Sequence, residues 1–496
     1  MCLELALSSK QFDLETLEKI ITSLLDLNLM LGEGDNDDLE KQLITFYVKS
    51  ITQCVNSISK KNIIQGLGYT SDVISILGEY LADGGNVTGG EVQSVIFNSL
   101  NSLLSFALSS IHLDYITKTY FSQNNQTNDE DLINDLSLTT TENKTTNTLS
   151  LFEKICSSVL YLLGDRFENS LKLSFSIIFT FMDKIHKYEY LHYLNENILT
   201  VISENANIKK TQHFKSFIGR CFNILDTKLI FNFFPIQCLD YDIQSEDYTE
   251  NSMIWILSYM DKYLKEEKTL KEFLLSFIGI IEDLEKMIER LEKNEKLVKK
   301  LSKFEDKKAT KNDMDLDMEM DQNKDNENQD FMDDDNMEED DLNENFLINK
   351  TENKYVLHMK IKRYELIIQQ IWRLSPYFCS INQPTTQNND MNENNENDDF
   401  STYVHYFLEK IDTTLTKYPA TRIFIFRSLC KIITNSKLKA DVKAIKVIKK
   451  EGKKFFIRTI NWLLAVGLSN EEMKEGFLLF SNFAKVLTEK DLYSAL

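Results

Sequence analysis

The sequence predicts an all-α protein built as an array of paired helices, and three observations carry that prediction. Glycine (15) and proline (4) are scarce in 496 residues, and these are the residues that punctuate sheets and tight turns. Apolar residues recur at helical spacing along almost the whole chain. Alternating strand patterns are nearly absent. With 42% hydrophobic residues the chain can bury a great deal, yet its length suits several domains or one extended array better than a single core.

The first helical patterns fall near 14–30, 39–58 and 71–82. In "EVQSVIFNSLNSLLSFALSSI" (91–111), Val92, Val95, Ile96, Leu100, Leu103, Leu104, Leu108 and Ile111 follow the i, i+3, i+4, i+7 rule, with Thr88 as the expected cap. Residues 122–148 are polar and Asn/Thr-rich and read as a disordered loop. Helical patterns resume near 149–163, 169–184, 189–204 and 213–225. A charged helix over 281–304, with the thin stripe Leu284, Ile288, Leu291, Val298 and Leu301, then dissolves into an acidic tract. Further helices are expected near 354–374, 402–416, 420–435, 439–450, 453–467 and 471–488.

Helix pairs of this kind, at a period of roughly 40 residues, build α-solenoids of the HEAT or armadillo kind. No clean sequence repeat is visible, and a globular α-bundle is the alternative. The expected organisation is N-terminal helical repeats over 1–121, the polar disordered loop over 122–148 and helical repeats over 149–304. An acidic disordered linker follows over 305–350, then a helical repeat with a Trp-Pro-Cys motif over 351–380, an Asn-rich loop over 381–400, and C-terminal helical repeats with a basic helix over 401–496.

The formal charge of −21 argues, taken whole, against nonspecific nucleic-acid binding. The total misleads, because residues 311–345 hold 16 Asp/Glu and two Lys, a net −14. That tract reads first as a solubilising linker, with recruitment of basic proteins as the alternative. Seven cysteines, widely spaced and never in a CxxC pair, suit reduced and mostly buried thiols. "MCLELALSSKQF" lacks a basic n-region, and no apolar run reaches the roughly 20 residues of a bilayer span, so a soluble intracellular chain without a membrane partner is expected.

"IIQQIWRLSPYFCS" (367–380) places a tryptophan, a proline and a cysteine within eight residues. Reading back from Pro376, Leu366, Ile367, Ile371 and Leu374 share a face, with Trp372 at its edge. Proline disfavours helix in the residue before it, so the helix should end near Leu374 or Ser375. Tyr377, Phe378 and Cys379 would then plug the gap between one helical layer and the next, a structural rather than catalytic use of the cysteine.

This segment resembles the hallmark of the ribosomal-RNA-processing protein twelve family, in which a helix ends in Trp-x-Leu-x-Pro-x-Phe-Cys. "IGRCFNIL" (218–225) and "FNFFPIQCLD" (231–240), with Pro235, precede it, as does "SMIWILSYM" (252–260), with Trp255. "YVHYFLEKIDTTLTKYPATRIFIFRSLCKII" (403–433) follows and is similar to the family's Leu-rich helix pair. The resemblance covers about 218 to 435. It departs from the pattern at Ser258, Arg373 and Tyr377, and the family's later repeats are not found, so the chain reads as a reduced homologue or as part of a larger product. What the resemblance implies is a HEAT-repeat protein of the nucleolus and nucleus, shuttling to the cytoplasm, that binds small-subunit pre-ribosomes and acts in their maturation and export.

Signals for chemistry are poor. His186 and His192 stand about 240° apart on a helix, and no HExxH or GxSxG occurs. "GDNDDLE" (34–40) lacks the glycine of a calcium loop, and "GLGYTSD" (66–72) lacks the lysine of a P-loop. No enzyme, metal site or cofactor is expected.

The sharpest binding signal is "KLKADVKAIKVIKKEGKKFFIR" (437–458), net +7 over 22 residues. Lys439, Lys443, Lys446, Lys450 and Lys453 fall within about 80° on a helical wheel, and four remain aligned even if Gly452 ends the first helix. With Lys449, Lys454 and Arg458 they form the candidate phosphate-contact set, suited to sequence-tolerant binding of precursor rRNA. An ordinary solvated face is the alternative. The expected function is a scaffold for pre-ribosomal proteins and pre-rRNA. The alternatives are a karyopherin-like transport adaptor, with a Ran-type GTPase and export factors as partners, and an armadillo-type interaction protein without RNA.

Overall fold

The structure, a computed structural model, describes residues 12–27, 37–87, 89–124, 139–239, 248–265, 267–315, 354–381, 400–464 and 468–495. Among the described residues there is no strand, and a parallel bridge between Thr269 and Ser380 stands outside the helices. The all-α solenoid prediction holds: the fold is helix pairs throughout. The chain divides into two compact units, Met1–Pro235 with Lys262–Leu264, and Ile236–Asp261 with Lys265–Leu496.

Unit 1 begins with α1 (Leu14–Asp26), α2 (Asp37–Lys61), α3 (Ile63–Val87), α4 (Gly89–Ala107) and α5 (Ser110–Asn124). It continues with α6 (Thr139–Tyr161), α7 (Leu171–Ile185), α8 (His192–Glu204), the single turn α9 (Ala206–Lys209), α10 (Gln212–Cys221) and α11 (Thr227–Phe233). Side-chain caps start several of them: Asp13 accepts from the Thr16 amide at 2.8 Å, and Thr211 from that of Phe214 at 3.1 Å. Helix α2 packs on α3 and α4, α3 on α4 and α6, α6 on α7 and α8, and α7 on α10. This is the two-layer neighbour pattern of stacked helix pairs.

The stretch Gly90–Thr117 is long and apolar enough, by composition, to cross a bilayer. It breaks at Leu108–Ser109 into α4 and α5 instead, and Val92, Ile96, Leu100, Leu103 and Leu104 are buried in the unit. Ile111, predicted on the same stripe, is exposed because it lies beyond that break. The predicted cap Thr88 lies outside the described residues. The backbone is already helical at Thr139, within the stretch predicted as loop, while 125–138 lie outside the described residues.

Unit 2 contains α12 (Tyr248–Asn251), α13 (Trp255–Tyr263) up to Asp261, α14 (Leu270–Asp315), α15 (Lys354–Leu374), α16 (Phe400–Lys417), α17 (Arg422–Leu438), α18 (Val442–Leu463), α19 (Asn470–Ala484) and α20 (Glu489–Ala495). From α14 onward the helices alternate between two layers. Helix α14 packs on α15 and α16, α15 on α17, α16 on α17 and α18, α17 on α18 and α19, and α18 on α19 and α20. So α14, α16, α18 and α20 share one layer, and α15, α17 and α19 the other. Leu284, Ile288 and Leu291 of the thin stripe are buried as predicted, whereas the side chains of Val298 and Leu301 lie outside the described residues. Helix α14 runs to Asp315, past the predicted start of the linker, and most of the acidic tract (316–345) and of the Asn-rich loop (382–399) is outside the described residues.

Candidate nucleic-acid interface

The Trp-Pro-Cys segment is built as a plug. Helix α15 ends at Leu374 and passes into a 3-10 turn over Ser375–Tyr377 that carries Pro376, and the Phe378 amide closes it on the Ser375 carbonyl at 3.0 Å. Trp372 is fully buried rather than at the edge of the apolar face, with ring centroids 5.6 Å from Phe273 of α14 and 5.8 Å from Phe407 of α16. Leu366, predicted on that face, is 55% exposed. The reason is that α15 packs against α14 and α17 together, which turns the contact face toward Tyr364, Ile368 and Trp372.

Phe378 continues the cluster, 5.6 Å from Phe273 and 5.8 Å from Phe277. Cys379 is fully buried; its thiol donates to the Ser375 carbonyl at 3.3 Å, and burial pushes its pKa up to about 12. A thiol so held has almost no thiolate at neutral pH, which fits a packing role. The backbone after the turn is tied to the lead-in of α14: the Lys268 amide donates to the Tyr377 carbonyl at 2.7 Å, and the Ser380 amide to that of Lys268 at 2.9 Å. Pro235 lies exposed just after α11, and Trp255 is buried at the start of α13 with its ring 5.6 Å from Tyr259.

The basic segment differs from its prediction in three places. It is one helix, α18, because Gly452 is buried against Phe483, where a Cβ would sit 3.1 Å from the ring; the glycine permits a close approach and does not stop the helix. Lys439 is off the ridge. It caps α17, Ala440 follows at φ 52°, and the Lys439 ammonium donates to the Ile381 carbonyl at 2.9 Å. Lys454 and Arg458 both reach across to the Asp412 carboxylate on α16, and Arg458 also donates to the Asp412 carbonyl at 3.0 Å.

Lys443, Lys446, Lys449 and Lys450 are exposed on α18, opposite the buried Ala444, Ile448, Phe455 and Trp462. Lys446, Lys449 and Lys450 make no hydrogen bond or ion pair among the described residues. Lys453, half-buried, lies near Asp491 of α20, whose carboxyl is held below its ordinary range mainly by the Thr488 hydroxyl. Along this layer, charge is matched between neighbouring helices until α18. Lys410 of α16 pairs with Glu282 of α14, and Lys417 with Glu289 at 3.3 Å. With Asp412 taken by Lys454 and Arg458, Lys446, Lys449 and Lys450 are left as surplus among the described residues.

Beside this surplus is a cavity of about 440 Å³ between the end of α16, the start of α17 and the end of α18. Leu415, Thr416, Arg422, Phe426, Arg458, Asn461 and Trp462 line it. Trp462 and Phe426 meet edge to face at 4.7 Å, and the buried indole N–H of Trp462 has no hydrogen-bond partner. Among the described residues Arg422 makes no hydrogen bond or ion pair; its nearby carboxylate, Glu472, is committed to the Ser469 cap, whose hydrogen bonds lead in holding Glu472 below its usual range. Sequence reasoning missed Asp412, Asn461 and Trp462 here, because only the packing of α16 on α18 brings them together.

Residues 91–305 match the family model described as ribosomal RNA-processing protein 12, HEAT repeats. Through that stretch, somewhat under half of its length, the chain is similar to the ribosomal RNA-processing protein 12 family. The family is one of HEAT-repeat ribosomal-RNA-processing proteins, which supports a role in rRNA processing and ribosome biogenesis. The match includes Pro235 and Trp255 and ends before Trp372–Cys379 and before α18, so the lysine face stands on its own geometry. No curated protein matches the chain.

Proposed function

We propose that the chain is a scaffold of ribosome biogenesis that binds small-subunit pre-ribosomes, holding their pre-rRNA against the exposed lysine face of α18 during processing and export. The observation that carries this reading is the surplus itself: Lys446, Lys449 and Lys450 project from one helix and pair with no carboxylate among the described residues. Successive lysines a turn apart rise about 6 Å along the helix, a spacing that meets backbone phosphates without reading bases. The described part of the fold offers stacked helices as a platform and no constellation that would perform chemistry on RNA. Residence in the nucleolus and nucleus, with passage to the cytoplasm, follows from this role.

The test is equilibrium binding of the full chain to single-stranded RNA across a salt series. Replacing Lys446, Lys449 and Lys450 by Glu is expected to reduce the slope of log affinity against log salt by about 2, since each phosphate contact on a single strand contributes about 0.7. An unchanged affinity and slope would remove α18 from the interface.

A further inference from the structure

The lysine face does not end at Lys453. Asn461 stands about 60° round α18 from Lys446, at the same angle as Lys443, and lines the cavity described above; Arg458, about 120° round and turned to Asp412, lines it too, together with Arg422 and Thr416. Phe426 and Trp462 form its apolar wall. The cavity therefore pairs the Arg422 guanidinium and an amide with an aromatic wall, at one end of a row of exposed lysines. Its volume of about 440 Å³ falls in the range of small-ligand pockets.

We infer that this cavity is a nucleotide pocket that takes one unstacked base of a single-stranded RNA, whose adjoining phosphates continue along α18. The inference rests on the RNA-binding reading above and deepens it. Arg422 and Arg458 meet the phosphate of the inserted nucleotide, Asn461 and Thr416 offer hydrogen bonds to its base edge or ribose, and Phe426 and Trp462 give the base an apolar surface. A duplex keeps its bases stacked and cannot fill the pocket, so the site adds a preference for single strands that a lysine row alone lacks. Arg458 keeps its bond to Asp412, which fixes the guanidinium at the mouth before RNA arrives.

The experiment compares a fluorescein-labelled single-stranded RNA 12-mer with the corresponding 12-base-pair duplex, using the full chain. Three proteins are measured: the wild type, Arg422→Ala with Asn461→Ala, and the triple Lys446→Glu, Lys449→Glu, Lys450→Glu. The pocket variant is expected to bind the single strand about five- to tenfold more weakly while its duplex affinity stays within about twofold, in line with the loss of a base contact. The triple variant should lose affinity for both. Asn461→Ala alone, at an exposed position, gives a smaller loss in the same direction and guards against misfolding of the double variant.

Wild-type affinity of the pocket variant for the single strand would overturn the nucleotide pocket and leave the lysine face standing. Equal weakening on both RNAs would overturn it too, by reducing Arg422 to one more surface charge. If the triple variant is also unaffected, the RNA-binding reading itself fails. A synthetic peptide of residues 311–345 that binds the wild type but not the pocket variant, with single-strand binding intact in both, would assign the cavity to an acidic segment and overturn the RNA assignment.

Discussion

Trp372 touches aromatic rings on two other helices, so its loss would empty a site that neighbouring backbones cannot collapse to fill. Trp372→Ala should destabilise unit 2 by about 3–5 kcal/mol, read as a lower urea midpoint by circular dichroism. Cys379, buried with its pKa pushed up to about 12, should resist iodoacetamide at neutral pH in the native protein and react on unfolding; fast native alkylation would contradict the plug. Ala440 holds φ 52° at the turn into α18, a left-handed conformation in which its Cβ is strained. Ala440→Gly should therefore raise stability by about 1 kcal/mol, visible as a higher melting midpoint. The Trp-Pro-Cys motif was legible in the sequence as a structural stop. The burial of Trp372 was not, because a helical wheel gives one face, whereas α15 is packed by α14 and α17 at an angle that widens it.

Helices were legible wherever one face is apolar: α15, α16 and α17 fall within three residues of their predicted ends, since caps and the stops at Pro376 and Pro419 act locally. Helix α18 was misread as two. An interior glycine costs about 1 kcal/mol relative to alanine in isolation, and only the approach of Phe483 offsets that cost. The partner helix uses the same device. A Cβ on Gly476 of α19 would lie 2.7 Å from Trp462 and from Leu463, so Gly476→Ala should cost about 1–3 kcal/mol through overpacking, measured by thermal or urea unfolding. Because Trp462 also walls the cavity, the same substitution should weaken single-stranded RNA binding more than duplex binding. The lysines of α18 were legible as a set; the removal of Lys439, Lys454 and Arg458 from it was not, since Ile381 and Asp412 lie 58 and 42 to 46 residues away in sequence.

At the scale of the whole chain, composition conveyed the helical architecture, and the ordered motifs pointed to the same family as the match over 91–305. Net charge conveyed the wrong impression. The −21 is concentrated in residues 311–345, which carry −14, while the rest of the chain carries a net −7 and α18 is positive. The central claim is that this face holds the chain on small-subunit precursors. Tagged wild-type protein and the Lys446→Glu, Lys449→Glu, Lys450→Glu variant, expressed in the protein's own cells, should be sedimented through sucrose gradients and the fractions probed for precursor rRNA. The account predicts that the wild type travels with small-subunit precursors and that the variant shifts toward free protein. Wild-type sedimentation away from all precursor rRNA would contradict it.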